Sequence, residues 1–170
     1  FTANGSFTFE FVDASGNIGS VTATVNNIDK EAPTVLFGTN GNDSFAQTAK
    51  TTITVEDASA VDNDSLKYQW TQNTTAPEEA SFMKTFVNGE EISSPNKISG
   101  IYYLWVLAKD ITGNKNIISS NQFSLDNIKP VINGVKKDNN YKNPVTPIVT
   151  EDNLDSLKLL IEATGETIDF

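Results

Sequence analysis

Asp13 and Asn17, and again Asp110 and Asn114, frame the same Asp-x-x-Gly-Asn spacing between two runs of strand-like sequence. A carboxylate followed by Gly and Asn can do two things. It can accept backbone N–H groups across a bend that Gly16 or Gly113 closes in the left-handed region. Alternatively, it can offer oxygen to a hard cation. Carboxylates dominate the chemistry on offer, with 22 Asp and Glu against 12 Lys and Arg, no His and no Cys. A His-dependent triad, a thiol nucleophile, a zinc site with nitrogen or sulfur ligands and a disulfide framework are therefore excluded. Acidic residues are plentiful, yet no pair has a spacing that marks a glycosidase site. A net charge of −10 with singly scattered lysines argues against binding a phosphate backbone.

These loops need strands to position them. The 170 residues, 38% of them apolar, suffice for packed cores. No apolar run approaches the roughly 18 to 20 residues of a membrane span, and no secretory leader is visible. The only methionine is Met83, and the chain opens in mid-strand, as a piece of a longer protein would. Phe7, Phe9 and Phe11 alternate with Thr8 and Glu10, and Leu66, Tyr68 and Trp70 with Lys67, Gln69 and Thr71. Period two of this kind makes strands with one wet face.

Two landmarks share one period. Asp13 and Asp110, and Pro33 and Pro130, are each 97 residues apart (110 − 13 and 130 − 33). "VED…DSLK" from Val55 also returns as "TEDNLDSLK" from Thr150. The expected fold is an all-β, immunoglobulin-like β-sandwich in tandem repeats: residues 1–30 a closing hairpin, 31–129 a complete domain, and 130–170 the opening strands of a third unit. Within the complete domain seven strands are expected, near 33–38, 50–56, 66–72, 81–88, 90–93, 101–109 and 116–125.

"NGSFTFEFVDASGNIGSVTATVNNIDKEAPT" resembles the closing hairpin and linker of bacterial immunoglobulin-like repeats from Gram-positive surface proteins, and "LKYQWTQ…SGIYYLWVLAKDITGN…FSLDNIKP" resembles a complete repeat. The resemblance spans nearly the whole chain, although the second linker reads "DNIKP" and lacks the Asp of "NIDK". It implies an extracellular stalk or spacer at the cell surface or in a secreted protein, without catalysis. The alternative is an adhesive or carbohydrate-binding accessory module of a surface protein or secreted glycoside hydrolase.

In such a sandwich the last hairpin loop, the loop between the second and third strands and the incoming linker share one pole. That places Asp110, then Glu56, Asp57, Asp62 and Asp64, then Asp29 and Glu31, at one end of the central domain. Glu151, Asp152, Asp155 and Asp126 repeat the arrangement in part. Oxygen-only clusters suit Ca²⁺, which takes six to eight oxygens. No contiguous calcium-loop motif exists, and solvated acidic loops need no ion.

"IYYLWVLAKD" is apolar on both faces: Tyr102, Leu104, Val106 and Ala108 on one, Tyr103, Trp105 and Leu107 on the other. A neighbouring segment covering the second face is one reading. A glycan-stacking platform using Tyr103 and Trp105 is the other. Residue types for a Lys–Asn or Lys–Asp crosslink are present, but spacing singles out no pair. The partners expected are neighbouring repeats, a glycan or host protein, and a second chain joined head to tail through 1–30 and 130–170. Nucleic acid and membrane insertion are not expected.

Overall fold

The computed structural model describes residues 1–136, 139, 141–161 and 166–169, so the expected third unit is described only in part. The fold is all-β and built from antiparallel ladders. Strands β1 (Gly5–Val12) and β2 (Ile18–Val25) form a hairpin in the register Gly5↔Val25 to Val12↔Ile18. Alternation puts Thr8 and Thr22 on one face, where their hydroxyls meet at 2.9 Å. It leaves Phe9 and Phe11 on the other, 49% and 59% exposed. Phe1 stacks over Phe7 at a ring separation of 4.3 Å.

The body of the molecule follows: β3 (Thr34–Phe37), β4 (Lys50–Glu56), β5 (Lys67–Thr71), β6 (Lys84–Thr85), β7 (Glu91–Ser93), β8 (Gly100–Lys109), β9 (Lys115–Ser119) and β10 (Phe123–Leu125). One sheet runs β3-β4-β7; the other runs β10-β8-β5-β6, with β9 also on β8. Val35, Ile53, Val55 and Ile92 from the first sheet pack with Leu66, Leu104, Val106 and Ala108 from the second strand set and its approach, making one core between them. The period-two reading of β8 holds, since Leu104, Val106 and Ala108 enter this core while Trp105 and Leu107 take the other face. Trp70 packs against the core as expected, and its indole N–H donates to the Ser93 carbonyl.

Two strand expectations are corrected. The expected strand 81–88 contracts to the two residues of β6, preceded by a short 3-10 helix at Glu79–Ser81. The cause is a change of side: Phe82 packs on Trp105 and Leu107, whereas Phe86 enters the central core, so the segment wraps the edge of β5. The expected strand 116–125 divides into β9 and β10. At the break the Ser120 hydroxyl accepts the Leu104 N–H, and the Asn121 N–H turns to Asn40 Oδ1. The ladder on β8 is interrupted there.

Asparagine carboxamides stand in for strand backbone at several edges. Asn88 accepts the Val55 N–H and donates to the Val55 carbonyl, both at 2.8 Å. Asn42 does the same for Ser124, and Asn4 for Ile28. An amide side chain carries the donor and acceptor of a peptide group, so it satisfies a backbone pair without a strand. Beyond Pro130 lie two more ladders, β11 (Val131–Asn133) with β12 (Ile148–Thr150) and β13 (Lys158–Ile161) with β14 (Glu166–Asp169). Among the described residues no helix is long and apolar enough to cross a membrane.

Candidate metal centre at the entry linker

Both Asp-x-x-Gly-Asn segments form one turn. Asp13 Oδ1 accepts the Ser15 and Asn17 N–H groups, and Asn17 Nδ2 donates to Oδ2 at 2.6 Å. Asp110 Oδ1 likewise accepts the Thr112 and Asn114 N–H groups, with Asn114 Nδ2 on Oδ2 at 2.7 Å. Gly16 and Gly113 sit at φ +86° and +95°, where a side chain is strained. The Asn17 carboxamide, followed by the backbone donors, holds the Asp13 carboxyl below its ordinary range. At Asp110, burial pushes the carboxyl up, but bonds from Asn114, Thr112 and Gly113 outweigh it and the net direction is down.

The two turns differ in surroundings. Asp110, 2% exposed, meets Asp29 and Asp57, with one oxygen from each within 4.8 Å of the others, whereas Asp13 belongs to no such group of three among the described residues. Backbone bonds explain the meeting. The Asp62 N–H donates to Lys109 O and the Ile111 N–H to Ala60 O, so the loop after β4 lies beside the end of β8. The linker is pinned on both sides of Asp29: Ile28 by Asn4, and the Pro33 carbonyl by Asn116 Nδ2. A cleft of about 470 Å³, lined in part by Ile28, Ala58 and Ile111, adjoins the cluster.

Hydrogen bonding distinguishes the three carboxylates. Asp57 Oδ1 accepts the Ser59 N–H and hydroxyl, and Asp29 Oδ1 accepts the Glu31 N–H. Asp29 Oδ2 is shielded from water and has no donor at all. The ion pairs Lys50–Glu91, Lys109–Glu79 and Lys115–Glu79 do not involve the cluster. Three adjacent negative charges with a desolvated oxygen form an unfavourable set that a hard divalent cation would relieve.

Four of the seven expected ligands are not in the group. Glu56 ends β4 on the face opposite buried Val55 and is exposed. Glu31 is exposed and contributes its backbone N–H to Asp29. Asp62 caps the 3-10 helix at Asn63–Ser65 by accepting the Asp64 N–H, and Asp64 is exposed. Alternation and capping turn these groups away. Asn114, which bonds Asp110, is visible in the sequence as the last residue of the repeated spacing, whereas Ser59 and Thr112 carry no such signal.

The aromatic face is covered. Trp105 is 7% exposed, under Phe82, with its indole N–H on the Asn73 carbonyl, so it offers no open stacking plane. Tyr103 packs beside it, half-buried. No protein-family model and no curated protein matches the chain.

Proposed function

We propose that the chain is a run of tandem immunoglobulin-like repeats that serves as a non-catalytic, extracellular spacer of a bacterial surface or secreted protein, braced by Ca²⁺ where one unit joins the next. The observation that supports this reading is the delivery of linker residue Asp29 to Asp57 and Asp110 of the domain body. A cation bound by all three would tie the linker to the body and restrict bending at the junction. Carbonyls and water would complete the six to eight oxygens that Ca²⁺ takes. The thermal midpoint in millimolar Ca²⁺ and in chelator tests it: a concentration-dependent rise is expected, and an unchanged midpoint removes calcium from the reading.

Neighbouring repeats are the partners in this account. Where an end is free, the exposed Phe9 and Phe11 row of β1 is a core face without a core, and a second chain's β11–β12 ladder is its complement. Light scattering should show concentration-dependent association that Phe9→Ser weakens. A monomer at all concentrations would refute the pairing.

A further inference from the structure

Asn-Gly steps occur in the chain at Asn4, Asn40, Asn88 and Asn133. This dipeptide has a chemistry of its own. The backbone nitrogen of the glycine can attack Cγ of the asparagine, because no Cβ on the glycine hinders the approach. That nitrogen loses its proton, Nδ2 leaves as ammonia, and a cyclic imide forms. Water then opens the ring at either carbonyl, leaving aspartate, or isoaspartate in which the main chain runs through Cγ and gains a methylene. The net change is water consumed and ammonia released, with no oxidation and no other reactant.

Ring closure requires a carboxamide free to turn Cγ toward the next nitrogen, and hydrogen bonds hold all but one of these. Asn88 Oδ1 accepts the Val55 N–H and Nδ2 donates to the Val55 carbonyl, both at 2.8 Å. The nitrogen that would attack it, that of Gly89, is itself engaged, donating to Ile53 O at 2.9 Å. Asn4 is held through both side-chain atoms by the backbone of Ile28, at 2.8 and 2.9 Å. Asn40 is held through Oδ1 by the Asn121 N–H at 2.6 Å.

Asn133 differs. It is the last residue of β11, paired through its backbone with Ile148, and both it and Gly134 are exposed. No hydrogen bond to its carboxamide occurs among the described residues. The turn also fixes the reactive partner. Gly134 sits at φ +84°, and a Cβ there would come within 2.6 Å of the Thr146 carbonyl oxygen, so the position demands glycine.

We infer that Asn133 is a site of spontaneous covalent modification, deamidation through the cyclic imide, and that the fold withholds Asn4, Asn40 and Asn88 from the same reaction. The product adds a carboxylate to a chain whose net charge is already −10. Its isoaspartyl form lengthens the backbone at the end of β11 and puts it out of step with Ile148. Modification therefore loosens the β11–β12 ladder and spares the central sandwich, where Asn88 secures Val55.

Peptide mapping by mass spectrometry tests this on the intact chain, incubated at mildly alkaline pH both natively and in concentrated urea. In urea the Asn-Gly steps should convert at similar rates, since glycine follows each asparagine. In the native chain Asn133 should keep nearly its urea rate. Asn4 and Asn88, each with two carboxamide hydrogen bonds, should slow by roughly tenfold or more, and Asn40, with one, by less. Asn4 or Asn88 converting as fast as Asn133 in the native chain overturns the protection, and an Asn133 slowed as much as they are overturns the site. Asn133→Gln, whose longer side chain closes the ring poorly, should remove the early isoaspartate signal while far-UV circular dichroism stays unchanged. An early signal that survives this variant overturns the assignment to Asn133.

Discussion

Asp29 and Asp110 bring carboxylate oxygens within 4.8 Å of each other, one from the linker after β2 and one from the turn after β8. The pair makes the linker's position sensitive to charge. Asp110 is held anionic by its own turn, whereas Asp29 has a shielded oxygen that nothing satisfies. Asp29 is therefore the residue whose removal separates ion binding from turn stability.

Asp29→Asn should raise the midpoint in chelator, because it removes one of three adjacent charges, and abolish most of the calcium-dependent rise. Occupancy at 100 times Kd contributes about 2.7 kcal/mol, enough for an unambiguous shift by calorimetry. A variant that keeps the full rise would exclude Asp29 as a ligand.

Acid should weaken the fold in a defined window. The Lys109 ammonium, then Lys115, holds the Glu79 carboxyl at about 2 against an ordinary 4.5. A lowered folded pKa contributes stability that is complete above the unfolded value and is lost as pH falls through the folded one. Glu79→Gln should thus flatten the pH dependence of the midpoint between about 4.5 and 2. Asp13 and Asp110 act in the same direction below 3.8 and should leave a residual slope.

Asn88 replaces a missing strand neighbour for both backbone groups of Val55. Asn88→Ala should cost about 1–3 kcal/mol in denaturant unfolding, because two backbone partners are left for water to satisfy. Asn88→Asp retains the acceptor and loses the donor, so it should fall between wild type and Asn88→Ala. A cost near zero for Asn88→Ala would show that water replaces the amide without loss.

Phe82 is the lid on Trp105 and Leu107. Phe82→Ala should destabilise the domain by about 3–5 kcal/mol and shift Trp emission to the red as Trp105 gains water. In the unmodified chain, oligosaccharide titration should leave Trp105 emission unchanged. Saturable quenching would revive the glycan platform.

Much of this molecule was legible from local patterns. Alternation set the two faces of β1, β5 and β8, because successive residues of a strand must point to opposite sides. The Asp-x-x-Gly-Asn spacing determined both hairpin turns, because a short carboxylate and a left-handed glycine close the bend with bonds no more than four residues apart. Local rules could not say which face of β8 would be covered, or by what. Phe82 and Phe86 read as one strand, and only packing sends one to each side of the sheet.

The candidate site divides along the same line. Composition limited it to oxygen ligands, since the chain has no His and no Cys. The expected sandwich pole grouped seven carboxylates, and the tertiary structure brings together Asp29, Asp57 and Asp110. Glu56 was removed by strand alternation and Asp62 by its helix cap. The three that remain meet because the loop after β4 bonds along Lys109–Ile111 and the linker is tied to Asn4 and Asn116. Those bonds join residues far apart in the chain, so their geometry exists only once the sheets have packed.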